Sequence, residues 1–134
     1  MVTLRLPAVM ESFGAFRSFV IEEMEREGDL RELIPGVDLV LEELLVNVIH
    51  YAYPKGEGEI EVECGACGSG KFRVTVKDWG NPFNPLEQAD PDVTADIDSR
   101  EVGGVGIFLA RQMASRLNHA YRDGGNVITA WFEK

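Results

Sequence analysis

The chain has 134 residues, a length that suits one domain and leaves little room for a second. An apolar content of 45% is that of an ordinary globular protein able to bury one core without disulfides or a structural metal. A formal net charge of −10 sets the surface against phosphate backbones, so direct nucleic-acid binding is disfavoured, and any bound nucleotide must be held by local groups.

No apolar run reaches the length of about 18 residues that a membrane helix needs. Met1 to Pro7 lacks the basic-then-apolar plan of a signal peptide, and a cytoplasmic location is expected. Cys64 and Cys67 form a C-x-x-C pair. Two thiols cannot close a tetrahedral zinc site by themselves, and a redox pair usually opens a helix. This pair sits in a glycine-rich turn, which favours two reduced cysteines in a hairpin.

In chain order, Val2 to Leu6 alternates apolar and polar residues as a short strand does, and Pro7 is expected to end it. Val9, Phe13, Phe16, Val20 and Met24 recur at steps of three and four, the stripe of an amphipathic helix with Glu22, Glu23, Arg26 and Glu27 on its wet side and Gly28 as its stop. A second helix is expected from about Pro35 to Tyr53, with Leu41, Leu44, Leu45, Val48 and Ile49 on its apolar face. Pro54 and Gly56-Glu57-Gly58 break it. Glu59 to Cys64 and Lys71 to Lys77 alternate with period two, and the glycines between them make a hairpin. Asp78 to Asp98 is rich in proline and aspartate and reads as a long loop with at most short helical pieces. A helix follows through Ile107, Phe108, Leu109 and Met113. Asn118 to Arg122 and Asn126 to Glu133 form a last hairpin turned at Asp123-Gly124-Gly125. This order predicts an α/β (α+β) two-layer sandwich: a mostly antiparallel sheet covered on one face by helices.

Three groups can carry chemistry. Glu43 and Asn47 lie four apart on the second helix, hence on one face. A carboxylate there can take a proton, and an amide oxygen can bind Mg²⁺, though a solvated polar pair has the same spacing. Asp78-Trp79-Gly80 follows a strand. An aspartate there is common turn chemistry, and it is also able to accept a hydrogen bond from an exocyclic amine such as adenine N6, with Gly80 letting the backbone approach the base. Gly103-Gly104-Val105-Gly106 opens a helix and presents backbone N–H groups to an anion, or acts as a hinge.

The conjunction and order of these pieces resemble the GHKL, or Bergerat-fold, ATPase superfamily. Glu43-Leu44-Leu45-Val46-Asn47 looks like its N box, Asp78-Trp79-Gly80-Asn81-Pro82-Phe83 like its first glycine box, and Gly103 to Leu109 like its second. The small size points within that superfamily to the anti-sigma factor serine kinase (RsbW-type) branch. The resemblance implies a single ATPase domain over residues 1–134 with an ATP lid over about 82–103. It implies ATP and Mg²⁺ as cofactors. Glu43 would be the general base toward a partner's serine, Asn47 the Mg²⁺ ligand, Asp78 the adenine reader with Gly80 and Phe83 beside it, and Gly103, Gly104, Val105 and Gly106 the phosphate cradle. Arg100 would reach the terminal phosphate.

Two positions depart from the branch. Tyr51 stands where a histidine often follows the N-box asparagine, with His50 one residue earlier. Gly125-Asn126 stands where Gly-Thr often helps to bind adenine, so that Asn126 substitutes or Thr129 reaches in. The implied function is an anti-sigma factor with serine/threonine protein kinase activity toward a STAS-type anti-anti-sigma partner. The alternative is a nucleotide-gated module that sequesters a sigma factor without turnover. A homodimer is implied, and the first helix, with Arg17, Glu22, Glu23 and Arg26, is a candidate partner surface. A detached histidine kinase catalytic domain is disfavoured by the short lid.

Overall fold

The computed structural model describes residues 1–54, 56–87 and 110–134. Five strands form one sheet in the order β1-β2-β3-β5-β4: β1 (Val2–Pro7), β2 (Glu59–Gly68), β3 (Lys71–Asp78), β4 (Arg116–Arg122) and β5 (Gly125–Glu133). Every neighbouring pair is antiparallel. Two long helices, α1 (Phe13–Glu27) and α2 (Ile34–Tyr51), join β1 to β2. The expected two-layer sandwich is the architecture observed.

The alternation read in the sequence becomes the wall of the core. Ile60, Val62 and Cys64 of β2, Phe72, Val74 and Val76 of β3, and Ile128, Ala130 and Phe132 of β5 are buried in one cluster. Phe16, Val20 and Met24 of α1 and Leu41, Leu44 and Leu45 of α2 pack into the same cluster. Burying each such side chain contributes about 1.5–3 kcal/mol, so the apolar stripes fix which helix face meets the sheet. Arg17 of α1 reaches Asp38 of α2 in a two-pronged ion pair at 2.7 and 3.1 Å. It therefore staples the two helices, and Glu23 is half-buried and paired with Arg26 at 2.8 Å, so this helix offers less free charge to a partner than its sequence implies.

Element ends differ from expectation by a few residues. Pro7 continues β1 and pairs with Glu59, because an edge strand tolerates a residue without N–H. Val9 lies before the helix and is exposed, since a short 3₁₀ turn at Met10–Ser12 precedes α1. β2 runs past Cys64 to Gly68, with a register shift between Ala66 and Gly68. β4 begins at Arg116 rather than Asn118, since Arg116 and Leu117 pair with Trp131 and Ala130. Asp123 and Gly124 both take positive φ, 54° and 75°, which a two-residue hairpin turn requires. A 3₁₀ turn at Pro85–Glu87 is the short helical piece expected after Asp78. Ala110 to Met113 are helical and Ala110 is buried. The rest of the expected helix, and most of the lid, lie outside the described residues.

Cys64 is buried and Cys67 exposed, and both are free thiols. Burial in the apolar core, helped by Glu23 and Glu63, pushes the Cys64 thiol up to about 12. This placement agrees with the reading of two reduced cysteines in a hairpin. Among the described residues no helix is long and apolar enough to cross a membrane.

Candidate functional site: a cleft between α2 and the ends of β3 and β5

A narrow cleft opens where the C-terminal half of α2 faces β4 and the ends of β3 and β5. Leu44, Val48, Ala52, Phe83 and Ile128 supply apolar walls, and Asn47, Asp78, His119 and Asn126 supply the polar groups. Flat apolar walls with a few convergent polar atoms are what a small-molecule site requires.

Asn47 is only 4% exposed, so it is no solvated surface residue. Its Nδ2 donates to the Glu43 carbonyl oxygen, one turn earlier, at 2.8 Å. Its Oδ1 is buried with no hydrogen-bond partner among the described residues. An orphaned buried carbonyl oxygen costs about 1–3 kcal/mol, and a hard cation removes that cost by taking the oxygen as a ligand. The residue therefore fits a Mg²⁺ ligand. No cluster of three or more His, Cys, Asp or Glu side chains suited to a metal exists among the described residues.

Glu43 is half-buried and is not part of the cleft wall. Burial raises its affinity for a proton, and the neighbouring charge of Glu42 adds to the effect. This is the direction a proton acceptor needs.

Asp78 ends β3 and is 4% exposed. Its Oδ1 accepts from the Gly80 backbone N–H at 2.9 Å and from Asn126 Nδ2 at 2.9 Å. The first bond is the turn chemistry of Asp-x-Gly. Among the described residues nothing donates to Oδ2, so that oxygen is available to a ligand.

Gly80 has a steric reason of its own. A methyl group on it would overlap the Ala52 backbone carbonyl, and Asn81 N–H donates to that same oxygen at 3.3 Å. The glycine lets the loop close on the end of α2. Gly125 is similarly confined, since a Cβ there would lie 2.6 Å from the Asp78 carbonyl oxygen.

Asn126 is 5% exposed and sits opposite Asp78 in the β3–β5 ladder. Its Nδ2 donates both to Asp78 and to the Asn81 carbonyl at 2.8 Å. Its Oδ1 accepts from Phe83 N–H at 3.0 Å and meets His119 Nε2 at 3.0 Å. All four hydrogen-bonding positions of the amide are occupied by the protein. In this arrangement Asn126 acts as a clamp that ties Asp78 to the loop after β3. Thr129 points to the other face of the sheet, where its hydroxyl lies 3.4 Å from that of Thr75. Strand alternation rules it out of the cleft.

Tyr51 stacks on Phe83 with ring centroids 5.4 Å apart, and His50 is exposed. Tyr53 donates to the Glu59 carbonyl at 2.6 Å and accepts from Trp79 N–H at 2.8 Å, which pins the loop after α2 to the first glycine box. Arg100, Gly103, Gly104, Val105 and Gly106 lie outside the described residues. His119 is the cleft residue that sequence reading missed. It follows Leu117 on the inward face of β4, but a lone histidine in a strand carries no chemical signature.

The histidine kinase-like ATPase domain model matches residues 6–132. The chain is 30% identical over 133 residues to the serine-protein kinase RsbW of Listeria monocytogenes serovar 1/2a, covering 95% of this chain and 83% of that protein. It is 29% identical, with the same coverage, to RsbW of Listeria innocua serovar 6a. Among solved structures, the RsbU and RsbW domains of a Mycobacterium tuberculosis protein superpose with a TM-score of 0.64 at 15% identity over 99% of this chain and 32% of that one. A blue-light activated histidine kinase of Erythrobacter litoralis superposes with a TM-score of 0.56 at 19% identity, over 76% of this chain and 45% of that one. These two likenesses concern the fold. Taken with the sequence motifs, two of which meet in one cleft, the family match over nearly the whole chain means that this protein belongs to the histidine kinase-like ATPase family, in its RsbW-type GHKL branch.

Proposed function

We propose that the protein binds ATP with Mg²⁺ and transfers the terminal phosphate to a serine of a STAS-type anti-anti-sigma partner, as a cytoplasmic anti-sigma regulator. The observation that carries this reading is the buried, partnerless Oδ1 of Asn47 in the same cleft as the half-engaged Asp78 carboxylate. Asp78 Oδ2 accepts from adenine N6, while Leu44, Val48 and Ile128 exclude water from the base. Asn47 Oδ1 holds Mg²⁺, which when bound neutralises phosphate charge during transfer. Glu43 accepts the proton of the partner's serine hydroxyl, and its raised proton affinity suits it to that task. By resemblance, Gly103, Gly104, Val105 and Gly106 are assigned to the phosphates, Arg100 to the terminal one, and residues 82–103 to a lid.

The second reading is a nucleotide-gated module that sequesters a sigma factor without turnover. The presence of Tyr51, stacked on Phe83, where the branch often has a histidine favours it. Calorimetric titration with ATP, with and without Mg²⁺, followed by transfer of radiolabelled terminal phosphate to a STAS-type protein, separates the two. Binding with transfer is expected. Binding without transfer leaves the module, and no binding at millimolar ATP overturns both.

A further inference from the structure

We infer that His119 is a positioning residue which, acting through Asn126 on Asp78, makes the cleft select adenine over guanine. The inference rests on the nucleotide-binding reading above and deepens it. The orientation of the Asn126 amide is fixed by its partners. Nδ2 faces two acceptors, the Asp78 carboxylate and the Asn81 carbonyl, at 2.9 and 2.8 Å. Oδ1 faces the Phe83 N–H at 3.0 Å. The remaining contact, 3.0 Å from Oδ1 to His119 Nε2, can be a hydrogen bond only if the imidazole donates. His119 thus adds a fourth bond to the amide in the orientation in which Asn126 donates to Asp78.

The consequence falls on the carboxylate. With Oδ1 already taking Gly80 N–H and Asn126 Nδ2, Asp78 offers a ligand one oxygen. One acceptor suits the exocyclic amine of adenine. Guanine presents two adjacent donors, N1–H and the N2 amine, and a carboxylate that can turn offers both oxygens to that edge. If the Asn126 clamp is released, Asp78 is able to turn and guanine gains a two-pronged partner. With the clamp in place, guanine meets a single oxygen, and its O6 is brought against a carboxylate. Discrimination built on hydrogen-bond mismatch at a buried polar group is the strong kind. His119 does not touch the reacting atoms in this scheme; its effect passes through Asn126.

Two variants test it. His119→Leu removes the donor and keeps an apolar side chain beside Ile128, its partner across the β4–β5 ladder. His119→Gln keeps a side-chain N–H donor. Binding of ATP and of GTP is measured by calorimetry for the wild type and both variants, with thermal melting alongside. The wild type is expected to prefer ATP. The leucine variant is expected to lose about fivefold to tenfold of that preference, the worth of one hydrogen bond, and glutamine to restore most of it. An equal fall in affinity for both nucleotides, an unchanged ratio, or a glutamine variant as impaired as the leucine one overturns the inference and leaves ATP binding standing. A wild type that binds neither nucleotide overturns the inference together with the reading beneath it.

Discussion

Asn47 spends its amide nitrogen on the carbonyl oxygen of Glu43, 2.8 Å away and one helical turn earlier, and its own oxygen is left buried without a partner. A helix whose other buried residues are Val and Leu gains nothing in stability from such an atom. The arrangement makes sense as a site held ready for a cation, and it has two measurable consequences.

Asn47→Ala is expected to weaken Mg²⁺-dependent ATP binding about tenfold to a hundredfold, the range for losing a polar contact to a charged group. Titration of Mg²⁺ at fixed ATP checks this, and near-wild-type affinity would remove Asn47 from the metal site. Asn47→Leu is expected to match or exceed the wild-type melting temperature without nucleotide, because it removes the unsatisfied oxygen. A fall of many degrees would mean that the oxygen has a structural partner.

Asp78→Asn places an N–H donor beside the oxygen that already serves Gly80 and Asn126. A donor suits guanine O6 and repels the adenine amine. The ratio of ATP to GTP affinity is expected to fall by about tenfold or more. Competition between the two nucleotides reads it directly, and an unchanged ratio would take Asp78 out of base recognition.

Glu43→Gln is expected to retain nucleotide binding and lose phosphate transfer. It also has a pH signature. The folded-state proton affinity of Glu43 lies above a glutamate's ordinary value of 4.5, because burial and Glu42 disfavour the charge. Its contribution to stability is therefore full below pH 4.5 and is lost as pH rises through the raised value. The glutamine variant is expected to be the more stable protein at pH 7, with the gap closing in acid. Denaturant melts at several pH values test the sign; a gap that widens in acid contradicts it.

Cys64, with its thiol pushed up to about 12, is expected to resist alkylation at pH 8, whereas exposed Cys67 reacts. Mass spectrometry should find one label on the native chain and two after unfolding. Two labels on the native chain would mean that the β2 wall opens.

Gly80→Ala is expected to cost several kcal/mol, or to prevent the loop from docking, because the added methyl meets the rigid Ala52 carbonyl rather than a side chain that can move. Thermal melting settles it, and a loss below about 1 kcal/mol would show that the loop shifts at little cost.

Much of the layout is local chemistry, and local chemistry is legible in a sequence. The helical stripe Phe16-Val20-Met24, the alternation of Lys71 to Lys77 and the Asp123-Gly124 turn each express a period or a φ requirement that a few neighbouring residues determine. The four-residue spacing of Glu43 and Asn47 is of the same kind, as is the Asp78-x-Gly80 turn. Tertiary structure decided what those residues face. Only the pairing of β3 with β5 sets Asn126 against Asp78 across 48 positions of sequence and so makes it a clamp on that carboxylate. Only the docking of the loop on the end of α2 reveals the steric demand for Gly80, and only the β4–β5 register carries His119 into the cleft. Periodicity tells which side of an element is apolar; the partner of a polar atom is set by which elements pack together, and no local pattern encodes that.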